Sequence, residues 1–148
     1  MPSAPNHPLW IVVANASRAR IMERVRPGEP LLQREDRVHP ASRQHAGAAE
    51  RDGPGQTIAG RSGLAPRTDP RTRERRSFAH ELAGCLQAHA RDHAMGSLVV
   101  YASKPFMGAL LAEFDPPLQR RVHLQAGVDM TTWPLAQIEQ RLQRDLHA

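Results

Sequence analysis

Residues Ser97–Ala126, SLVVYASKPFMGALLAEFDPPLQRRVHLQA, decide the fold class of this chain. Ser97–Ala102 is a short, continuous apolar run, which is typical of a buried strand. Apolar residues then recur at helical spacing over Lys104–Phe114, and Val122–Ala126 alternates as a strand does. Two strands joined through a helix predict a parallel crossover unit. The fold class that follows is α/β.

The first forty residues predict three more strands in succession. Leu9–Ala14, LWIVVA, has the composition of a buried strand, and a turn follows it. Arg18–Val25 alternates with period two, which predicts a strand buried on one face. Leu31–Val38 predicts a third, more polar strand. Short turns between these runs favour an antiparallel meander, so we expect a mixed β-sheet with helices packed on it.

Two further helices have recognisable beginnings. Asp69 is a suitable N-cap and Pro70 suits the first helical position, so a long helix is predicted from there to about His93. A last helix is predicted after Trp133-Pro134, where the apolar positions form one stripe: Leu135, Ile138, Leu142 and Leu146.

Length and composition predict one domain. The chain has 148 residues, enough for one buried core. We expect a flexible N-terminal tail over residues 1–8, a single α/β domain over 9–148, and a mobile Gly/Arg-rich loop at about 53–69. The apolar run near the N-terminus is too short for a signal peptide or a membrane span, which predicts a cytoplasmic protein with no membrane partner.

Positive charge is concentrated ahead of the long helix. The formal net charge is +5, and Lys104 is the only lysine. The window Arg51–Arg76 holds seven arginines and three acids. Guanidinium groups match phosphate geometry, so the window predicts an RNA-binding segment, although a solvated loop in an arginine-rich chain remains an alternative. The candidate RNA-binding residues are Arg51, Arg61, Arg67, Arg71, Arg73, Arg75 and Arg76.

Familiar catalytic and cofactor motifs are missing from the sequence. It contains no GxxxxGK[ST] motif and no GxGxxG directly after a strand, so we expect no small-molecule cofactor. Cys85, His89 and His93 are spaced by four residues, as ligands on one helical face are. Because Cys85 shares the apolar stripe of this helix, we interpret it as a small core residue and expect no metal. Asp129 is expected to order the turn before the last helix.

Five segments in this order resemble one protein family. They are LWIVVANASRARIMERV, ERDGPGQT, RSFAHELAGCLQ, SLVVYASKPFMGALLAEF and VDMTTWPLAQI. Together they resemble the bacterial proteins labelled host attachment proteins, or proteins required for attachment to host cells, from about Leu9 to Leu146. That family is regarded as a bacterial branch of the archaeo-eukaryotic peptide release factor superfamily. The resemblance implies the RNase H-like α/β fold of the release factor's middle domain.

The same resemblance implies candidate catalytic residues. In release factors of that superfamily, a Gly-Gly-Gln tip helps water attack the ester of peptidyl-tRNA, and Gly55 and Gln56 would match the end of that tip. Pro54 departs from the pattern, because it replaces a glycine and removes an N–H. About fourteen residues also separate Gln56 from the helix start at Asp69, and a codon-reading domain is missing from the sequence.

Three functions are compatible with these observations. The first is a non-catalytic module that binds ribosomal or transfer RNA through the basic loop, with any role in host attachment indirect. The second is a peptidyl-tRNA esterase that uses the Gly-Pro-Gly-Gln loop. The third is an adhesion-related protein at the cell surface. The residues favour the binding module over an enzyme.

Overall fold

The computed structural model describes residues 8–39, 69–93 and 95–147. Most of the predicted tail and most of the predicted mobile loop lie outside them. Within the described residues, five strands and four helices follow one another: β1 (Leu9–Ala14), β2 (Arg18–Arg24), β3 (Leu32–Val38), α1 (Pro70–Asp92), β4 (Ser97–Ala102), α2 (Lys104–Ala112), α3 (Pro116–Arg121), β5 (Val122–Ala126) and α4 (Leu135–Leu146).

The strands form one mixed sheet in the order β3-β2-β1-β4-β5. β1 pairs antiparallel with β2, and β2 pairs antiparallel with β3, as the predicted meander requires. On its other side β1 runs parallel to β4, and β4 runs parallel to β5. The predicted α/β fold and the parallel crossover are therefore confirmed.

Helices cover both faces of this sheet. On one face, residues of α1, α2 and α3 pack against the sheet around Trp10, Phe78 and Phe106. On the other face, α4 packs through Ile138 and Leu142. The result is a three-layer α/β/α arrangement with an apolar core on each side of the sheet. None of the helices that the structure describes combines the length and apolarity needed to cross a membrane.

Strand β2 differs from the prediction of one buried face. Arg20 and Met22 are buried as well as Ile21 on the opposite face. The Arg20 guanidinium is satisfied because it donates to Gln33 Oε1 at 2.8 Å and to the carbonyl of Trp133 at 2.7 Å. Arg20 is therefore a buried hydrogen-bonding side chain, whereas Arg18 and Arg24 on the same strand are half-buried.

A bulge offsets the pairing of β2 with β3. Met22 is opposite Gln33, but Ile21 is opposite Glu35, so Arg34 is the additional residue on β3. Directly paired residues of antiparallel strands point to the same face. Since Ile21 belongs to the core under α1, Glu35 also points towards α1.

Helix α1 begins and ends close to the predicted residues. The Asp69 carboxylate accepts a hydrogen bond from the Thr72 N–H at 2.7 Å, and Pro70 is the first helical residue. The helix after β4 is shorter than predicted, since it ends at Ala112. A separate short helix, α3, follows, and the Asp115 side chain caps it.

Candidate functional site

The first two turns of α1 carry four of the predicted RNA-binding arginines: Arg71, Arg73, Arg75 and Arg76. Three of these side chains are exposed, and Arg75 is half-buried. None of the four forms an ion pair with another residue that the structure describes. Arg75 contributes electrostatically to Asp69, where hydrogen bonds from Thr72 are the main reason that the pKa of the carboxyl is lowered. We call these four residues the arginine end of α1.

The arginine end opposes the dipole of its own helix. The backbone N–H groups at a helix N-terminus concentrate positive charge, so acidic residues are favoured there and basic residues are unfavourable. The first turn of α1 contains no acidic residue, and Asp69 lies just before it. These arginines therefore weaken the helix slightly while they concentrate positive potential at the N-terminal end of α1.

The four arginines do not lie along a single face. At 3.6 residues per turn, Arg71 and Arg75 continue the direction of the apolar stripe that begins at Phe78. Arg73 and Arg76 point to the opposite side of the helix. A ligand at this end would thus meet guanidinium groups on two sides.

The other predicted site residues lie outside the described part of the chain. They are the candidate RNA-binding Arg51, Arg61 and Arg67 and the candidate catalytic Gly55 and Gln56. Their roles stay predictions from the sequence. Among the residues that the structure describes, the predicted arginines that lie close together are the four that follow Pro70.

A series of polar contacts holds α1 against the edge strand β3. Close to the arginine end, His39 Nε2 lies 3.1 Å from Glu74 Oε1, and its ring stacks on Phe78 at 5.0 Å between centroids. Two turns further, Arg37 donates to Glu81 at 2.7 Å. We call these contacts, with the cluster described next, the β3–α1 ladder. The ladder and the core beneath Phe78 fix the direction in which the arginine end points.

The last step of the ladder is a cluster of Glu35, Cys85 and His89. Both helical side chains converge on one carboxylate oxygen, Oε2 of Glu35. The Cys85 thiol donates to it at 3.1 Å, and His89 Nε2 lies 2.6 Å from it. Arg37 donates to the other oxygen, Oε1, at 2.8 Å. All four side chains are half-buried.

These contacts change the acidity of both the carboxyl and the thiol. Burial alone would raise the pKa of Glu35, but hydrogen bonds from Cys85, His89 and Arg37 outweigh it and lower the pKa to about 2. Burial, together with the neighbouring Glu35 carboxylate, raises the pKa of Cys85 to about 11. At neutral pH the carboxyl is therefore ionised and the thiol keeps its proton. A thiol held in this state is a poor nucleophile.

This cluster differs from the set suggested by spacing alone. His93 is not one of the three side chains whose ligand atoms cluster. Its ring instead packs against the rings of Trp10 and His89, with centroids 5.8 Å and 5.4 Å away. Glu35 takes the third position, although it lies fifty residues before Cys85. Cys85 packs against the core beneath α1, as predicted, but its Sγ also faces a carboxylate. The sequence contains no local signal for this partner.

Asp129 has the structural role that the sequence predicts. Its Oδ1 accepts from the Thr131 N–H at 3.0 Å and from the Thr131 hydroxyl at 2.7 Å. Its Oδ2 accepts from Asn15 Nδ2 at 2.9 Å. The Asn15 side chain also accepts from the Ser17 N–H at 2.8 Å. The network joins the β1–β2 turn to the segment before α4, with its polar atoms paired internally.

Comparisons with known proteins give one family match. The sequence matches the family model described as "Protein required for attachment to host cells" over residues 10–142. No curated protein gives a significant match.

Among solved structures, one titled "Archaeal protein" is 12% identical, with a TM-score of 0.47; the alignment covers 96% of this chain and 40% of that one. The archaeal translation termination factor aRF1 is also 12% identical, with a TM-score of 0.46, 96% coverage of this chain and 41% of that one. This chain thus spans about two fifths of the length of each.

The family match begins at the second residue of β1 and ends inside α4, so it includes almost all of the strand and helix residues that the structure describes. It confirms the resemblance carried by the five sequence segments. The chain belongs to the family of proteins required for attachment to host cells.

Proposed function

We propose that this chain is a non-catalytic RNA-binding module, which docks on ribosomal or transfer RNA through the arginine end of α1 and the arginine-rich segment before it. The observation that carries the proposal is the placement of Arg71, Arg73, Arg75 and Arg76. They lie without ion-pair partners among the described residues, on a helix whose direction is fixed by its core and by the β3–α1 ladder.

The chemistry of the arginine end suits a phosphate backbone. Guanidinium groups donate two parallel hydrogen bonds to phosphate oxygens, and the N–H groups at a helix N-terminus also attract anions. Charge that opposes the helix dipole has a cost in stability, which a bound polyanion would offset. Guanidinium groups on two sides of the helix suit a ligand that surrounds the helix end, as a folded RNA does.

The choice of RNA rests on the sequence. The five segments resemble the host attachment family, which is regarded as a bacterial branch of the release factor superfamily. Release factors of that superfamily act on the ribosome and on peptidyl-tRNA. Ribosomal RNA and transfer RNA are therefore the first ligands to test. In this proposal, the host attachment named in the family description is an indirect consequence of altered translation or expression.

Co-sedimentation with ribosomes and fluorescence anisotropy with labelled tRNA test the proposal. We expect the native chain to bind and its affinity to fall steeply with salt, because each phosphate contact releases about 0.7–0.9 counterions. Replacement of Arg71, Arg73, Arg75 and Arg76 by Ala should lower the slope of log K against log salt by about 3.

The matched control removes four other arginines and changes the net charge equally. Arg24, Arg91, Arg120 and Arg144 are dispersed over β2, the far end of α1, α3 and α4. Their replacement by Ala should leave most of the affinity intact. Equal losses in the two quadruple variants would show non-specific attraction to a basic protein, and the proposed interface would be wrong. Absence of binding by the native chain would also overturn it.

A further inference from the structure

We propose that Glu35, Cys85 and His89 form a Zn²⁺ site that joins the edge strand β3 to helix α1. Neither the family description nor the proposed RNA interface includes such a site. It lies on the ladder beyond Arg37 and Glu81, at the other end of α1 from the arginine end.

The geometry gathers three ligand atoms from two elements. Cys85 and His89 are four residues apart, so they share one face of α1. Glu35 reaches them from β3, since the bulge at Arg34 turns it towards this helix. A thiol sulfur, an imidazole nitrogen and a carboxylate oxygen then lie within 4.8 Å of one another. Two ligands from a helix and one from a strand would fix these elements together.

The donor types fit zinc. Thiolate, imidazole and carboxylate are its three usual protein ligands, and a site with three protein ligands takes water as its fourth. The softer sulfur and nitrogen donors disfavour Mg²⁺ and Ca²⁺, which prefer oxygen. Zn²⁺ is therefore the metal that this set selects.

Metal binding has to displace a proton from the cluster. In the structure the Cys85 S–H and His89 Nε2 both lie against Glu35 Oε2, the oxygen that would bind the cation. The thiol loses its proton to solvent when Zn²⁺ binds. A neutral His89 ligates through Nε2 once its proton lies on Nδ1. Each Zn²⁺ bound thus releases one proton from Cys85.

Neighbouring charges support the ligands. Arg37 donates to Glu35 Oε1 and to Glu81 Oε2. It therefore orients the Glu35 carboxylate, whose other oxygen, Oε2, faces Cys85 and His89. Ligating carboxylates commonly have such hydrogen-bond donors. With neutral His89, the charges of Glu35, Glu81 and Arg37 sum to −1. Zn²⁺ and the thiolate add +1, so the occupied site is neutral.

Equilibrium dialysis of the reduced full chain against Zn²⁺, with metal content measured by mass spectrometry, tests the site. We expect one tightly bound Zn²⁺ per chain and a rise in the melting temperature. Cys85→Ser and Glu35→Gln should each lose that ion, because each removes one ligand with little change in volume. Both variants are checked by circular dichroism for native secondary structure.

His123→Ala is the matched control, since His123 is exposed on β5 at the opposite edge of the sheet. It should keep the tight Zn²⁺. Co²⁺ provides a second readout: the native chain should show a thiolate-to-cobalt charge-transfer absorption that Cys85→Ser lacks. The proposal is overturned if the native chain binds no Zn²⁺ tightly, or if Cys85→Ser keeps both the ion and the cobalt absorption. Neither result depends on RNA binding, so this proposal and the proposed function fail separately.

Discussion

Reversing the charge of two arginines in the first turn of α1 should have opposite effects on stability and on RNA binding. In Arg71→Glu/Arg73→Glu, acidic side chains replace basic ones at the second and fourth positions of the helix. A charge near a helix end contributes about 0.3–1 kcal/mol through the dipole. Removing two unfavourable charges and adding two favourable ones should increase the free energy of unfolding by about 2 kcal/mol.

The expected gain is measurable by thermal unfolding. For a chain of this length, 1 kcal/mol corresponds to about 2–4 °C in the melting temperature, so the double variant should melt about 4–8 °C higher at low ionic strength. Added salt should reduce the gain because it screens the charges. The same variant should bind tRNA more weakly, with a salt slope smaller by about 1.5.

Arg91→Glu is the control at the opposite end of the same helix. Arg91 lies in the last turn, where a cation is favourable. Reversing its charge should lower the melting temperature and leave RNA binding nearly unchanged. Lower stability in Arg71→Glu/Arg73→Glu would refute the dipole argument, and unchanged RNA affinity in that variant would refute the interface.

Three further predictions concern individual positions, each measured by urea unfolding. Gly84→Ala should increase the free energy of unfolding by about 0.5–1 kcal/mol, because Gly84 is exposed inside α1 and an added Cβ meets nothing within 4 Å; a loss would contradict this.

With metal chelated, Glu35→Gln should lower the free energy of unfolding by about 2 kcal/mol at pH 7. Since folding lowers the pKa of Glu35 to about 2, the carboxylate stabilises the fold above its ordinary pKa, and the difference between the two chains should vanish as the pH falls towards 2. A difference independent of pH would exclude the ionised carboxylate as its source. Asp129→Ala should lower the free energy of unfolding by about 1–2 kcal/mol, because it removes the acceptor for Asn15 and Thr131. Asp129→Asn keeps one oxygen acceptor and should lower the free energy of unfolding by less. Equal losses in the two variants would refute the role of these hydrogen bonds.

Much of the fold could be predicted because its signals are local. The apolar run of β1 and the alternation of β5 indicate strands without reference to any other residue. The N-cap Asp69 and the proline after it mark the start of α1 for the same reason: the carboxylate satisfies a backbone N–H only three residues away. The arginine end was also predictable, since a local charge excess needs no partner to be recognised.

The pattern of β2 shows where local reasoning fails. The alternation over Arg18–Val25 predicted a strand buried on one face, yet Arg20 on the other face is also buried and donates to the carbonyl of Trp133, more than a hundred residues later. Whether an arginine is exposed depends on what covers the strand, and here α4 and the segment before it cover that face.

The candidate metal cluster was likewise only partly predictable from the sequence. Sequence alone placed Cys85 and His89 on one helical face, because helical spacing is a property of neighbouring residues. It did not supply Glu35, and it suggested His93 in its place. Only the tertiary structure decided that Glu35 meets them. Without the bulge at Arg34, continuing the Met22–Gln33 pairing would place Arg34 opposite Ile21 and turn Glu35 to the other face. A shift of one residue reverses every side chain of a strand, so this contact depends on sheet register, which long-range packing sets.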